Sequence, residues 1–150
     1  MRTGLLLLAA VLAGCGAGGG PPEQRTREDA FRKTMTGATF AGRFSSNKSD
    51  KLSGERYTVS SVTKLAGDLW TINARIQYGS HDVTVPVPMR VLWAGDTPVL
   101  TMTDAGIPGM GKFTVRLLIY RDQYAGTWSS EKGSGGQLFG RIERAGPALQ

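Results

Sequence analysis

The sequence predicts an all-β domain, an eight-stranded up-and-down antiparallel barrel, with a two-sheet β-sandwich as the alternative. Three observations predict it. Leu69 to Trp93 holds two runs of strict alternation, with Trp70, Ile72, Ala74, Ile76 and Tyr78 on one face. After Gly79-Ser-His-Asp82 the pattern resumes through Val83, Val85, Val87, Met89, Val91 and Trp93. A period of two marks a half-buried strand, so the pair reads as a hairpin with one continuous apolar side. Turn signals recur at regular intervals around it, and no apolar repeat of helical period survives in the rest of the domain. One hairpin cannot bury its own apolar face, so other strands must close over it, and closure removes the open edges.

In chain order, Thr39 to Phe44 sets Phe40, Gly42 and Phe44 against Ala41 and Arg43, a first short strand, and a long polar loop is expected from Ser45 to Gly54. Glu55 to Leu65 is the second strand, and Ala66-Gly67-Asp68 turns it into the hairpin above. Pro86 and Pro88, two apart, withhold donors from the same edge of the fourth strand, so that edge is expected to be open, bulged or very short. Ala94 to Thr97 is a turn and Pro98 to Thr103 the fifth strand. The loop Asp104 to Gly111 reads as a packed turn or a lid, with Ile107 and Met110 placed at one mouth of the barrel. Lys112 to Arg121, Tyr124 to Trp128 and Gln137 to Glu143 complete the set.

Ahead of the domain, a basic Met1-Arg-Thr-Gly precedes an apolar run, Leu5 to Leu12, too brief to span a bilayer, which is the pattern of an export signal. It ends in Leu12-Ala13-Gly14-Cys15, which resembles the lipobox of bacterial lipoproteins. The resemblance implies a leader over residues 1–14, cleaved before Cys15, and a palmitate-type acylation that anchors Cys15 in the membrane. It further implies the periplasmic face of the outer membrane, since Gly16 stands where an Asp favours inner-membrane retention. Residues 15–36 are then expected as a flexible tether, 37–145 as the barrel and 146–150 as a tail. Within the tether, Glu28 to Lys33 offers one helical turn with Phe31 its only large apolar side chain, expected to be frayed or lightly docked. Cys15 is the only cysteine, so no intrachain disulfide can form.

The formal net charge is +6, one less without Arg2, which favours anionic partners such as lipid headgroups or envelope polymers. No basic helix or aromatic-interleaved patch points to nucleic acid. Gly126 two residues before Trp128, then Gly140 in a short last strand, is similar to the end of a calycin-type barrel, and the domain as a whole resembles small bacterial lipoproteins. It departs from the lipocalins proper in having Gly42-Arg43-Phe44 where they carry Gly-x-Trp.

Chemistry is sparse. His81 beside Asp82 would need a serine supplied by the fold, no Gly-x-Ser-x-Gly is present, and the solvated loop pair is the plainer reading. Asp82, Asp96 and Asp104 lack calcium-loop spacing, one His and one Cys do not build a zinc sphere, and Gly133 to Gly136 are hairpin glycines. Every acid is expected in a turn or at a strand end, which leaves no catalytic pair, metal or cofactor assigned. Trp70, Trp93 and Trp128 on apolar faces, with Ile107 and Met110, either fill the core or line a cavity for an apolar ligand. Arg75, Arg90, Arg116 and Arg141 lie on the opposite faces, solvated outside or, if the barrel is inverted, forming a fork for an anionic ligand. Leu92, Leu100, Met102, Leu118 and Phe139 are expected on those same faces, where outward they would form an apolar patch. The expected function is a non-catalytic, membrane-anchored lipoprotein that binds a small lipophilic molecule or an anionic envelope component. The alternatives are a protein-interaction or inhibitor lipoprotein and, last, a hydrolase using His81.

Overall fold

The computed structural model describes residues 20–144. The leader, Cys15 and residues 146–150 lie outside them. Eight strands follow one helix: α1 (Pro22–Met35), β1 (Thr39–Ser46), β2 (Ser49–Ala66), β3 (Leu69–Tyr78), β4 (His81–Ala94), β5 (Thr97–Ile107), β6 (Gly111–Tyr120), β7 (Gln123–Ser130) and β8 (Gly135–Glu143). Each strand pairs antiparallel with the next, and β8 returns to β1, closing the barrel. The sandwich alternative is thereby excluded.

The alternation of β3 and β4 sets the inside. Ile72 lies opposite Val87 and Ala74 opposite Val85, and all four are buried with Trp70, Ile76, Met89 and Val91. Burying aliphatic side chains at about 25 cal/mol per Å² is the main stabilising term of such a wall. The β4–β5 ladder runs only from Arg90↔Thr101 to Ala94↔Thr97 and stops short of Pro88 and Pro86, as two missing donors on one edge require.

Four expectations are corrected. The long loop from Ser45 to Gly54 is instead a hairpin, with Phe44 opposite Ser53 and Arg43 opposite Gly54; backbone pairing with β1 needs no apolar side chains, so the polar composition did not reveal it. The loop from Asp104 to Gly111 is mostly strand. A bulge between Met102 and Ala105 places Asp104 at φ 46°, its amide donating to Thr114 Oγ1 at 3.0 Å, and β5 then continues to Ile107. Leu100 and Met102 are buried in the core, because the inward positions of β5 are the even ones ahead of the bulge. Leu92, Leu118 and Phe139 do face outward.

The fourth correction is the end of the expected tether. From Pro22 the chain is a helix of 14 residues, started by proline at its first turn and docked across one end of the barrel. Its buried residues, Glu28, Phe31 and Met35, fall at i, i+3 and i+7, one narrow stripe on an otherwise polar helix. Phe31 meets Trp70 and Trp93 edge-to-face at centroid distances of 5.4 and 6.1 Å. Arg27 and Arg32 lie over the Trp93 and Trp70 rings. Lys64 Nζ donates to both oxygens of Glu28 at 2.7 and 2.6 Å, tying the helix to β2.

Candidate functional site

Because α1 covers the end that carries the β2–β3, β4–β5 and β6–β7 turns, the interior opens at the other end, among the β1–β2, β3–β4, β5–β6 and β7–β8 turns. A cavity of about 430 Å³ lies behind that mouth, within the roughly 300–1,000 Å³ usual for small-molecule sites. Its wall is largely apolar: Ile72, Ile76, Val87, Met89, Leu100, Met102, Val115, Leu117 and Leu138. Met35 closes it from the helix, and Lys48, His81, Met110, Lys132 and Ser134 form the rim. Beside the mouth, Phe44 stands edge-on between Tyr78 and Trp128, at 5.9 and 5.7 Å, and the Trp128 Nε1–H donates to the Ser45 carbonyl oxygen at 3.1 Å.

One acid is inside. Glu55 points inward from β2, is 6 % exposed and lines the cavity. Tyr57, two residues on and therefore on the same face, donates its hydroxyl to Glu55 Oε2 at 2.6 Å. Tyr124 donates to Oε1 at 2.8 Å from the far side of β8 and β1. The register explains that reach. Tyr124 lies opposite Gly140, Gly140 opposite Gly42, and Gly42 opposite Glu55, so one row crosses four strands. A Cβ on Gly42 would strike the Tyr124 hydroxyl and the Phe139 carbonyl oxygen, and one on Gly140 would come within 2.8 Å of Tyr124 Cε1. Two glycines thus clear the path along which the phenol ring lies flat against the wall. Burial drives the Glu55 carboxyl above the ordinary carboxylate range, against the two phenol donors that favour its ionised form. Burial, together with the neighbouring carboxylate, keeps Tyr57 and Tyr124 protonated far above the usual phenol range.

Glu55 corrects the expectation that every acid sits in a turn or at a strand end. Read as the first residue of a strand it counted as peripheral; once β2 begins at Ser49 it is well inside the strand. The register signal was present, since Glu55, Tyr57 and Val59 share one parity and are all inward.

Of the expected cavity residues, Trp128, Ile107 and Met110 line it. Trp70 and Trp93 pack instead beneath α1 at the closed end. Arg75, Arg90, Arg116 and Arg141 are all outside. Arg75 makes a two-pronged pair with Asp82, at 2.7 and 2.6 Å. Arg90 pairs with Asp68, Arg141 with Asp122, and Arg116 donates to the Met102 carbonyl oxygen and Thr103 Oγ1. No inward arginine fork exists among the described residues. Asp82 is engaged by Arg75 and Gln77, and His81 stacks on Tyr78 at 4.6 Å, so Asp82 does not orient His81.

No known protein family, no curated protein and no solved structure matches this chain.

Proposed function

We propose that this protein is a non-catalytic carrier or sensor of a small lipophilic molecule, held in the barrel and tethered to the outer membrane through acylated Cys15. The observation that carries the reading is the apolar cavity of about 430 Å³, open at one end and plugged by α1 at the other. A core serving only stability is packed to crystal-like density and leaves few voids larger than a water molecule. Lys48 and Lys132 at the rim offer a solvated, positive entrance suited to anionic headgroups. Native mass spectrometry of the full chain from its host is the direct test. A single added small-molecule mass, displaced one-for-one by a lipophilic fluorophore, is expected; a bare chain that takes up no fluorophore would refute the carrier reading.

A second reading, an interaction lipoprotein, rests on a different observation. Leu92, Val99, Leu118, Ala125 and Phe139 are consecutive partners across five outward-facing strands, and Leu92, Leu118 and Phe139 remain 43–44 % exposed. Such a row suits a protein partner. Replacing Leu92 and Leu118 by Ser would abolish a partner's co-purification while leaving small-molecule uptake intact.

A further inference from the structure

The cavity contains a carboxyl group with no cation to balance it. Groups facing Glu55 along the inner wall are Tyr57 from its own strand, Tyr78 opposite it on β3 and Tyr124 from β7; Lys48, Lys132 and His81 stand at the exposed rim. Lys64, the nearest lysine along β2 on the closed side, is bound to Glu28. A buried carboxylate without a partner costs several kcal/mol, and proteins resolve this by protonation, by a protein cation or by a ligand that brings one. Here both oxygens accept a phenol hydrogen bond, which favours the ionised form and fixes its orientation. Each carboxylate oxygen retains a further lone pair to accept from a ligand, beside the Tyr78 hydroxyl on the neighbouring strand.

We propose that Glu55 is the anchor for a protonated amine on a lipophilic ligand, with the Tyr57 and Tyr124 hydroxyls holding the carboxylate in place. This rests on the carrier reading above and adds to it the chemistry of the ligand's polar end. An apolar body lies along Ile72, Val87, Met102 and Leu117 while the ammonium donates to Glu55, replacing the missing counter-charge. A carboxylate-ended ligand is disfavoured at this depth, because it would bring a like charge to Glu55 with no cation between them. The rim lysines do not forbid the amine, since exposed charges are screened within about 8 Å at physiological salt.

Isothermal titration calorimetry of the full chain with decylamine, 1-decanol and decanoate tests this at neutral pH. Decylamine is expected to bind at least about tenfold tighter than 1-decanol, the size of one hydrogen bond to a charged group. Glu55→Gln, nearly isosteric, should remove that preference and leave 1-decanol within about threefold of its original affinity. Tyr57→Phe keeps the carboxylate but removes one of the two hydroxyls that hold it, and should reduce the amine preference while leaving 1-decanol unchanged, which maintains the test if Glu55→Gln fails to fold. An amine that binds no tighter than the alcohol, or as tightly to Glu55→Gln, overturns the anchor while the carrier reading stands. If none of the three probes binds, the carrier reading falls, and the anchor with it.

Discussion

Tyr124 on β7 hydrogen-bonds Glu55 on β2 at 2.8 Å across two intervening strands, and it does so only because Gly42 and Gly140 lie beneath its ring. Neither glycine is there for its backbone angles, as neither has positive φ. Close approach is the requirement. Gly42→Ala and Gly140→Ala are therefore each expected to cost about 1–3 kcal/mol in chemical denaturation, the usual price of overpacking. Gly54→Ala, where a Cβ meets nothing within 4 Å, is the control and should stay within about 0.5 kcal/mol. Adding Tyr124→Phe should rescue Gly42→Ala only in part, because the Phe139 carbonyl oxygen still blocks the new methyl. Equal stabilities for Gly42→Ala and Gly54→Ala would refute the contact.

The same carboxyl sets a pH dependence of definite sign. Its folded pKa lies above the 4.5 of an ordinary glutamate, so the unfolded chain gives up this proton first as pH rises. The contribution of Glu55 is thus fully present below about pH 4.5 and is lost as pH rises through the folded value. Stability curves measured from acid to neutral pH should fall more steeply for the native sequence than for Glu55→Gln. Tyr124→Phe, by removing a donor to the ionised form, should extend the fall to higher pH. A Glu55→Gln curve parallel to that of the native sequence would show that the group titrates normally.

What could be read from the sequence follows a physical line. Strands whose apolar side chains alternate, such as β3, β4 and β6, declare their inner face, and closure follows from their number and turn spacing. The first third of β2 does not, because its residues from Ser49 to Gly54 pair through the backbone while their side chains remain in water. Helix α1 hides for a related reason: three buried residues on 14 give too thin a stripe to stand out from a polar tether. Trp128 and Met110 were legible as cavity residues, but Trp70 and Trp93 shared the apolar pattern while lying under a helix that the pattern did not foresee. The Glu55–Tyr124 contact depends on the register of β7, β8 and β1 together, which no local pattern carries.

Helix α1 is expected to be the first element to detach in acid. Burial pushes Glu28 up, but the Lys64 ammonium and the Gln24 amide hold it below the ordinary range. The stabilisation it supplies is present above about pH 4.5 and is lost as pH falls through the depressed folded value. Hydrogen exchange should show the α1 amides losing protection below about pH 4.5 while the β3 and β4 amides keep theirs. Phe31→Ala should produce the same selective loss at neutral pH, with a cost of about 3 kcal/mol in global stability for a buried aromatic. Uniform loss across the barrel would mean that helix and barrel open as one unit.

The outward arginines are expected to be replaceable. Arg75→Gln removes a solvent-exposed pair with Asp82, and such pairs contribute little. The melting temperature and the affinity for a lipophilic probe should both stay unchanged within error. Arg116→Gln should behave similarly, its hydrogen bonds to the Met102 carbonyl oxygen and Thr103 being replaceable by water at the surface. A loss of probe affinity in either variant would place that arginine's function inside the barrel and contradict the facing seen here.

Ile107 and Met110 bracket the β5–β6 turn at the mouth, yet the two should respond differently to substitution. Ile107 is 8 % exposed and belongs to the main core cluster, while Met110 is only partly buried against it. Its amide closes the turn by donating to the Ile107 carbonyl oxygen at 3.0 Å, with Gly109 and Gly111 both at positive φ. A flexible thioether on a tight glycine-flanked turn, at the rim of an apolar cavity, is suited to contact a ligand as it enters. Met110→Ser should therefore change stability by less than about 1 kcal/mol while raising the release rate of a bound lipophilic fluorophore. Ile107→Ser should cost about 2–4 kcal/mol, because it both empties core volume and buries a hydroxyl. Stopped-flow release together with denaturant midpoints separates the two effects. If Met110→Ser is strongly destabilising with unchanged release, the turn is core and has no part in ligand exchange.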